Sequence, residues 1–164
     1  MKNRIRILAA LLVIAALALP AGAFTADRLD IAIEENGTAT ITFDYTLSWI
    51  EDVAVFFRIA DPADELKSAL ETFSGRSVDV VSVSDRSATF SVESFVHIAE
   101  KGNETIYTTP SINLTQSEEA LKDYWFAPLI DADFSPAVTV ITFPDGSQQV
   151  YENIAEIPKT SKSL

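Results

Sequence analysis

Residues 28–49 alternate between apolar and polar side chains on both sides of Asn36-Gly37. Leu29, Ile31 and Ile33 alternate with charged and small residues, and residues 41–49 continue the same period of two. Because successive side chains of a strand point to opposite faces, this pattern predicts two strands with one buried and one solvated face. Asparagine followed by glycine suits the positive φ values of a type I′ turn. The segment is therefore predicted to be an antiparallel β-hairpin.

Strand-like patterns recur along most of the remaining chain. A second hairpin is predicted from residues 137–143 and 147–154, which flank the turn sequence Pro144-Asp145-Gly146. Pro110 marks the segment that contains it as an edge strand or a strand end. The other predicted strands are residues 53–59, 77–83, 87–98 and 104–112.

Two segments carry the signals of short helices. Asp61-Pro62 is typical of a helix start, and Leu66, Leu70 and Phe73 place an apolar stripe on one helical face. This first helix ends at Ser74-Gly75. The second begins at the capping box of residues 115–118 and runs to about residue 125.

Strands interrupted by two short helices favour an α+β fold. The expected architecture is a twisted antiparallel sheet of about seven or eight strands with the two helices on one face, and a β-sandwich is the alternative. Residues 24–157 are predicted to form one domain, followed by a flexible polar tail at 158–164.

The first 23 residues have the layout of a secretory signal peptide. Three basic residues precede an uninterrupted apolar run, Ile7 to Leu19, and small residues follow Pro20. Cleavage is expected between Ala23 and Phe24. The alternative is a membrane tether formed by the uncleaved segment, but a helix of this apolar run would span only about 20 Å of the ~30 Å hydrocarbon core. We therefore expect an exported chain without stable membrane insertion after cleavage.

Charge and cysteine content exclude several functions. Cleavage after Ala23 leaves nine basic and 24 acidic residues and a net charge of about −15. This charge argues against binding nucleic acid or anionic lipid, which both need a basic surface. The chain has no cysteine, which excludes disulfides, thiol nucleophiles and thiolate metal sites. An exported protein without disulfides suits a prokaryotic envelope.

Three asparagines, Asn36, Asn103 and Asn113, stand in Asn-x-Thr sequons. The sequons are candidate N-glycosylation sites, and their use would place these asparagines on the surface. The alternative interpretation is that these three motifs are simply threonine-rich strand edges and turns. Glycosylation, acidity and the absence of disulfides would together indicate an archaeal envelope.

Residues 123–134 contain the candidate ligand sites. Asp131 and Asp133 are a candidate Ca²⁺ site, with Asp123 or Asp145 as helpers, although their spacing does not match an EF-hand loop. Tyr124, Trp125 and Phe126 are a candidate platform for a sugar or peptide. The alternatives are a solvated acidic loop and an aromatic helix end docked in the core. No other cofactor is expected.

No catalytic constellation is recognisable. The single histidine, His97, lies two residues after Phe95 in a predicted strand and therefore on the same face. It is expected to be a partly buried structural residue. Neither a Gly-x-Ser-x-Gly turn nor a glycine-rich phosphate loop occurs. The expected function is that of an exported, acidic, non-enzymatic envelope or extracellular domain that acts by interaction, with an envelope protein or glycan as partner, or as a structural module. The alternatives are a small binding protein for a cation, peptide or glycan, and a carboxylate-based hydrolase.

Overall fold

The computed structural model describes residues 22–47, 67, 71, 75–84, 86–115 and 130–164. These residues form strands in three sheets: a main sheet of β1–β4 and β8–β10, a three-stranded sheet of β5, β6 and β12, and a two-stranded sheet of β7 and β11. The strands are β1 (Gly22–Ile33), β2 (Ala39–Leu47), β3 (Val78–Val83), β4 (Ser87–Val92), β5 (His97–Lys101), β6 (Glu104–Thr108), β7 (Ile112–Asn113), β8 (Ile130–Asp133), β9 (Val138–Thr142), β10 (Gln148–Glu152), β11 (Glu156–Ile157) and β12 (Ser161–Ser163).

The predicted α+β fold is wrong, because the described residues form several β-sheets and no helical element. Apart from single positions, the two predicted helices and the predicted strand at 53–59 lie outside the described residues. The core face of the main sheet packs instead against residues of the two smaller sheets, among them Tyr107 of β6 and Ile157 of β11. The alternative prediction, a β-sandwich, shares the predominance of strands among the described residues.

The main sheet has the strand order β10-β9-β1-β2-β4-β3, with β8 also beside β1. Along one edge β1 pairs with β2 in antiparallel orientation. Along its other edge β1 pairs in parallel with β8 and then with β9. The prediction of a wholly antiparallel sheet is therefore wrong. The parallel pairs arise because the chain leaves the main sheet after β4, builds strands of the smaller sheets and returns beside β1.

The predicted alternation in β1 matches its burial. Leu29, Ile31 and Ile33 are buried in the core, and Ile31 is only 1% exposed. A bulge at Asp27 inserts one extra residue opposite β2, so that Ala26 and Leu29 both face the core despite a spacing of three. The strongest apolar period of the sequence therefore lies at the centre of the main sheet.

The first hairpin is confirmed, but its turn differs from the prediction. Ile33 pairs with Ala39, and Glu34 donates its amide to the carbonyl of Thr38 at 2.8 Å, which leaves a three-residue loop. Within the loop only Gly37 has a positive φ, of 85°. The Gly37 amide donates to the carbonyl of Glu34 at 3.0 Å. This is a type I turn followed by a glycine bulge, whereas a type I′ turn needs two residues with positive φ.

The second hairpin is also confirmed, since β9 and β10 pair in antiparallel orientation. Its loop has the same hydrogen-bond pattern as the loop of the first hairpin. The Gly146 amide donates to the carbonyl of Phe143 at 2.9 Å, and Gly146 has a φ of 80°. Because β1 and β9 are parallel neighbours, the loops that follow them lie at the same end of the main sheet. These are the β1–β2 loop, which contains Asn36 and is called the Asn36 loop, and the β9–β10 loop, which contains Asp145.

Two predicted strands are each divided between sheets. The segment 87–98 splits into β4 of the main sheet and the start of β5, with Ser94 between them at a φ of 52°. The segment 104–112 splits into β6 and β7 on either side of Pro110. A positive φ at a non-glycine residue turns the chain sharply, and proline lacks the amide that a continuing ladder requires. These two residues are where the chain changes sheet.

The predicted polar tail contributes a strand. Ser161–Ser163 form β12, which pairs with β6. Leu164 and Thr105 exchange two backbone hydrogen bonds of 2.9 Å each, and the Leu164 side chain packs against the core. Residues 161–164 are thus paired along the three-stranded sheet.

Candidate functional site

The outer face of the main sheet carries hydroxyl side chains from two neighbouring strands. Thr40 of β2 pairs with Ser91 of β4, and Thr42 pairs with Thr89. The hydroxyls of Thr42 and Thr89 are 3.3 Å apart and share a hydrogen bond. These four residues and Ser87 are all partly exposed, and we call them the hydroxyl face. Rigid, paired strands hold its hydroxyls in fixed positions.

Charged side chains border the hydroxyl face. Asp44 pairs with Ser87, and Asp30 pairs with Thr42 on the opposite edge of β2. Arg28 donates to both carboxylate oxygens of Asp30, from Nε at 2.6 Å and from a terminal nitrogen at 2.8 Å. This hydrogen bonding, with the charges of Asp30 and Asp44, raises the pKa of the Arg28 guanidinium above its ordinary value.

The hydroxyl face and the charged side chains beside it suit the recognition of a polar partner. A hydroxyl both donates and accepts hydrogen bonds, and an ionised carboxylate accepts them. Both groups match the hydroxyls of a glycan and the backbone of a peptide. The alternation of threonines in β2 was visible in the sequence as a solvated face. The continuation of this face onto β4 was not visible, because it depends on the pairing of residues 40–42 with residues 89–91, which are distant in the sequence.

The predicted Ca²⁺ pair lies in β8, parallel to the start of β1. Asp131 aligns with Ala23, and Asp133 aligns with Thr25. The Asp133 side chain is exposed, and its Oδ1 accepts the amide of Ser135 at 2.8 Å. Within the described ranges, no group of three or more histidine or acidic side chains could hold a metal ion. The structure does not bring Asp145 to this pair through any described contact, since Asp145 belongs to the β9–β10 loop.

The predicted aromatic platform, Tyr124, Trp125 and Phe126, lies outside the described residues, as does Asp123. Their role as a ligand surface stays a prediction. His97 is described, and it differs from the expectation: it is exposed at the first position of β5, where it pairs with Thr108. The prediction for His97 was wrong because the period of two breaks just before β5: Phe95 and Val96 are adjacent and both buried, and His97 then begins the strand.

Asp145 has a structural role in its loop. Its Oδ1 accepts the hydroxyl of Ser147 at 2.6 Å and the Ser147 amide at 2.9 Å. These hydrogen bonds, with the Lys162 ammonium 3.8 Å from the carboxylate, hold the pKa of Asp145 below its usual value. The carboxylate thus closes the β9–β10 loop and reaches β12.

The three sequons lie in different surroundings. Asn36 is exposed in the β1–β2 loop, and Asn103 is exposed in the turn between β5 and β6. Asn113 is half-buried in β7, where it pairs with Glu156 of β11. The sequence motif is the same in all three, and only the fold distinguishes them.

The cleavage-site residues Ala23 and Phe24 lie in the first part of β1. Phe24 pairs with Leu47 and aligns with Ala132 of β8. Cleavage between Ala23 and Phe24 would remove only Gly22 and Ala23 from the twelve residues of β1. The mature chain would therefore retain the β1–β2 and β1–β9 pairs.

Comparison with known proteins places the chain in no family: no family model, no curated protein and no solved structure matches it. Among the residues that the structure describes, none belongs to a helix with the length and hydropathy to span a membrane.

Proposed function

We propose that this protein is an exported, acidic, non-enzymatic domain that acts in a prokaryotic, archaeal-type cell envelope or outside the cell, by interaction or as a structural module. The observation that carries this proposal is the N-terminal segment, with its basic residues, its short apolar run and its small residues before Phe24. The hydroxyl face supports the interaction role, because its partly exposed hydroxyls and neighbouring carboxylates suit a glycan or an envelope protein.

The export proposal is tested at the cleavage site. Mass spectrometry of the envelope and extracellular fractions is expected to find a mature N-terminus at Phe24. Ala23→Tyr should cause a heavier precursor to accumulate at the membrane, because the peptidase subsite accepts only small side chains. Ala23→Ser, which keeps a small side chain, is the matched control and should be processed normally. An intact Met1 on the wild-type protein would contradict export by cleavage and favour a membrane-tethered domain.

The interaction role is tested with a site-specific crosslinker, since the chain contains no cysteine of its own. Thr42→Cys places a single thiol on the hydroxyl face, and Ser163→Cys places one at an exposed position of β12. Each purified variant, labelled with a photoreactive maleimide, is incubated with intact envelopes and illuminated. We expect one discrete adduct from Thr42→Cys and none of the same mass from Ser163→Cys. Identical adduct patterns, or no adduct from either, would contradict a partner at this face.

A further inference from the structure

We propose that Asn36 and Asn103 are N-glycosylated in the exported protein and that Asn113 is not. The proposal rests on the proposed export, because glycan transfer to an asparagine sequon takes place outside the cytoplasm. It goes further in selecting two of three sequons that are equivalent in sequence. The selection comes from the exposure of each asparagine and from what its side-chain amide already bonds.

Asn36 presents its amide nitrogen at the tip of a hairpin. The residue is exposed, and its Oδ1 accepts the amide of Thr38 at 2.8 Å. This bond orients the side chain of the sequon asparagine relative to its own threonine and uses the oxygen, not the nitrogen. No described residue accepts a hydrogen bond from its Nδ2. A glycan on this nitrogen would therefore extend into solvent without breaking a described contact.

Asn103 occupies a comparably open position. Lys101 pairs with Glu104, so that Gly102 and Asn103 form a two-residue turn between β5 and β6. Gly102 has a φ of 69° and takes the position that needs positive φ in a type II′ turn. Asn103 and both flanking residues are exposed. The side chain thus stands at the end of a hairpin, which is where a bulky polar substituent is accommodated.

Asn113 is already engaged through both of its side-chain polar atoms. Its Nδ2 donates to Oε1 of Glu156 at 3.1 Å, across the pair of strands β7 and β11. Its Oδ1 accepts the amide and the hydroxyl of Thr115, at 2.9 and 2.5 Å. The residue is half-buried. A sugar on this nitrogen would replace one of its two N–H hydrogens beside Glu156 and crowd the two-stranded sheet.

The chemistry requires a glycan carried on a lipid phosphate or pyrophosphate. Attack by the asparagine Nδ2 on C1 of the first sugar forms the C–N bond and breaks the C1–O bond to phosphate. The lipid phosphate leaves with the electron pair of the C1–O bond, and the proton that the amide loses passes to this phosphate. The product therefore keeps one N–H at Nδ2, and the reaction needs no oxidant or reductant.

The two selected sites lie at opposite ends of β5. The Val96 amide donates to the carbonyl of Gly37 at 3.1 Å, which holds the Asn36 loop against the start of this strand. β5 contains five residues, so Asn103 lies on the order of 20 Å from that loop. In the described part of the chain, β5 is the edge of the three-stranded sheet. Bulky polar groups at both ends of an edge strand hinder pairing with another chain.

The test is glycopeptide mapping of the protein purified from its native envelope, with the N-terminal peptide recorded in the same digest. We expect glycan masses on the peptides of Asn36 and Asn103 and an unmodified peptide for Asn113. Asn36→Gln and Asn103→Gln should each remove one glycan mass from the intact protein, whereas Asn113→Gln should remove none. Thr38→Ala removes the first sequon without altering Asn36, and it should reproduce the loss of one glycan.

Unmodified Asn36 and Asn103 on a chain that begins at Phe24 would overturn the glycosylation proposal and leave export standing. A glycan on Asn113 would overturn the selection by exposure. Unmodified sequons on a chain that retains Met1 would overturn both the glycosylation and the export proposal.

Discussion

Replacement of Phe90 by alanine is expected to lower the free energy of unfolding by about 3–5 kcal/mol, the range for truncating a buried phenylalanine. Phe90 lies in β4 and is only 7% exposed. Its neighbours in the sheet are Ile41 of β2 and Val80 of β3, which are partly buried and pack against the core. Removal of the ring leaves a cavity that paired strands on both sides cannot close.

The matched control is Thr89→Ala, one residue earlier in the same strand and on the opposite, hydroxyl face. This change removes a hydrogen bond between two partly exposed hydroxyls, and a cost of about 1 kcal/mol or less is expected. Urea unfolding of both variants, followed by tryptophan fluorescence, gives the comparison. Equal losses of stability would contradict the difference in burial between the two faces of β4, and a larger loss for Thr89→Ala would reverse their assignment.

Gly37→Ala is expected to cost about 2–5 kcal/mol, the sum of two effects. Gly37 has a φ of 85°, and a side chain in this left-handed region costs roughly 1–2 kcal/mol. An added Cβ would also lie 3.2 Å from Cδ1 of Ile98 and 3.3 Å from the carbonyl oxygen of Val96. Contacts this close need a shift of the Val96 backbone and the Ile98 side chain, at roughly 1–3 kcal/mol.

Gly146→Ala separates these two effects. Gly146 occupies the same position in the β9–β10 loop with a φ of 80°, but an added Cβ would meet nothing within 4 Å. Only the conformational cost of roughly 1–2 kcal/mol is expected there. Both variants are measured by chemical denaturation under identical conditions. If Gly146→Ala proves as destabilising as Gly37→Ala, the contact between the Asn36 loop and β5 contributes nothing.

The two hairpins were predictable because their signals are local. Alternating apolar residues and a glycine-containing turn lie within about twenty residues in each, and both pairings are confirmed. The turn type in the first hairpin was not predicted correctly, because Asn36-Gly37 is compatible with two loop lengths. The choice of the longer loop places Gly37 against Val96 and Ile98, a contact with a distant segment.

The candidate sites were predictable to different extents. The sequons are visible as motifs, yet their exposure depends on pairing: Asn113 differs from Asn36 because Glu156, 43 residues away, accepts its amide hydrogen bond. Only the β2 part of the hydroxyl face was predictable, from the alternation of threonines in that strand. His97 was misjudged because Phe95 and Val96 are both buried, so the period of two does not extend from Phe95 to His97.

Local sequence alone determined the apolar period of β1 and β2, the positions of the two hairpin loops and the segments that form strands β3, β4, β6 and β9 at least in part. These features depend on side-chain alternation and turn chemistry within a few residues. The tertiary structure alone decided that β9 lies parallel to β1, that the smaller sheets cover the core face and that Ser161–Ser163 pair with β6. Each of these depends on backbone hydrogen bonds and apolar contacts between distant segments. The type of a residue does not determine which carbonyl its backbone amide bonds. The sheet that a strand joins therefore depends on which apolar faces are buried together.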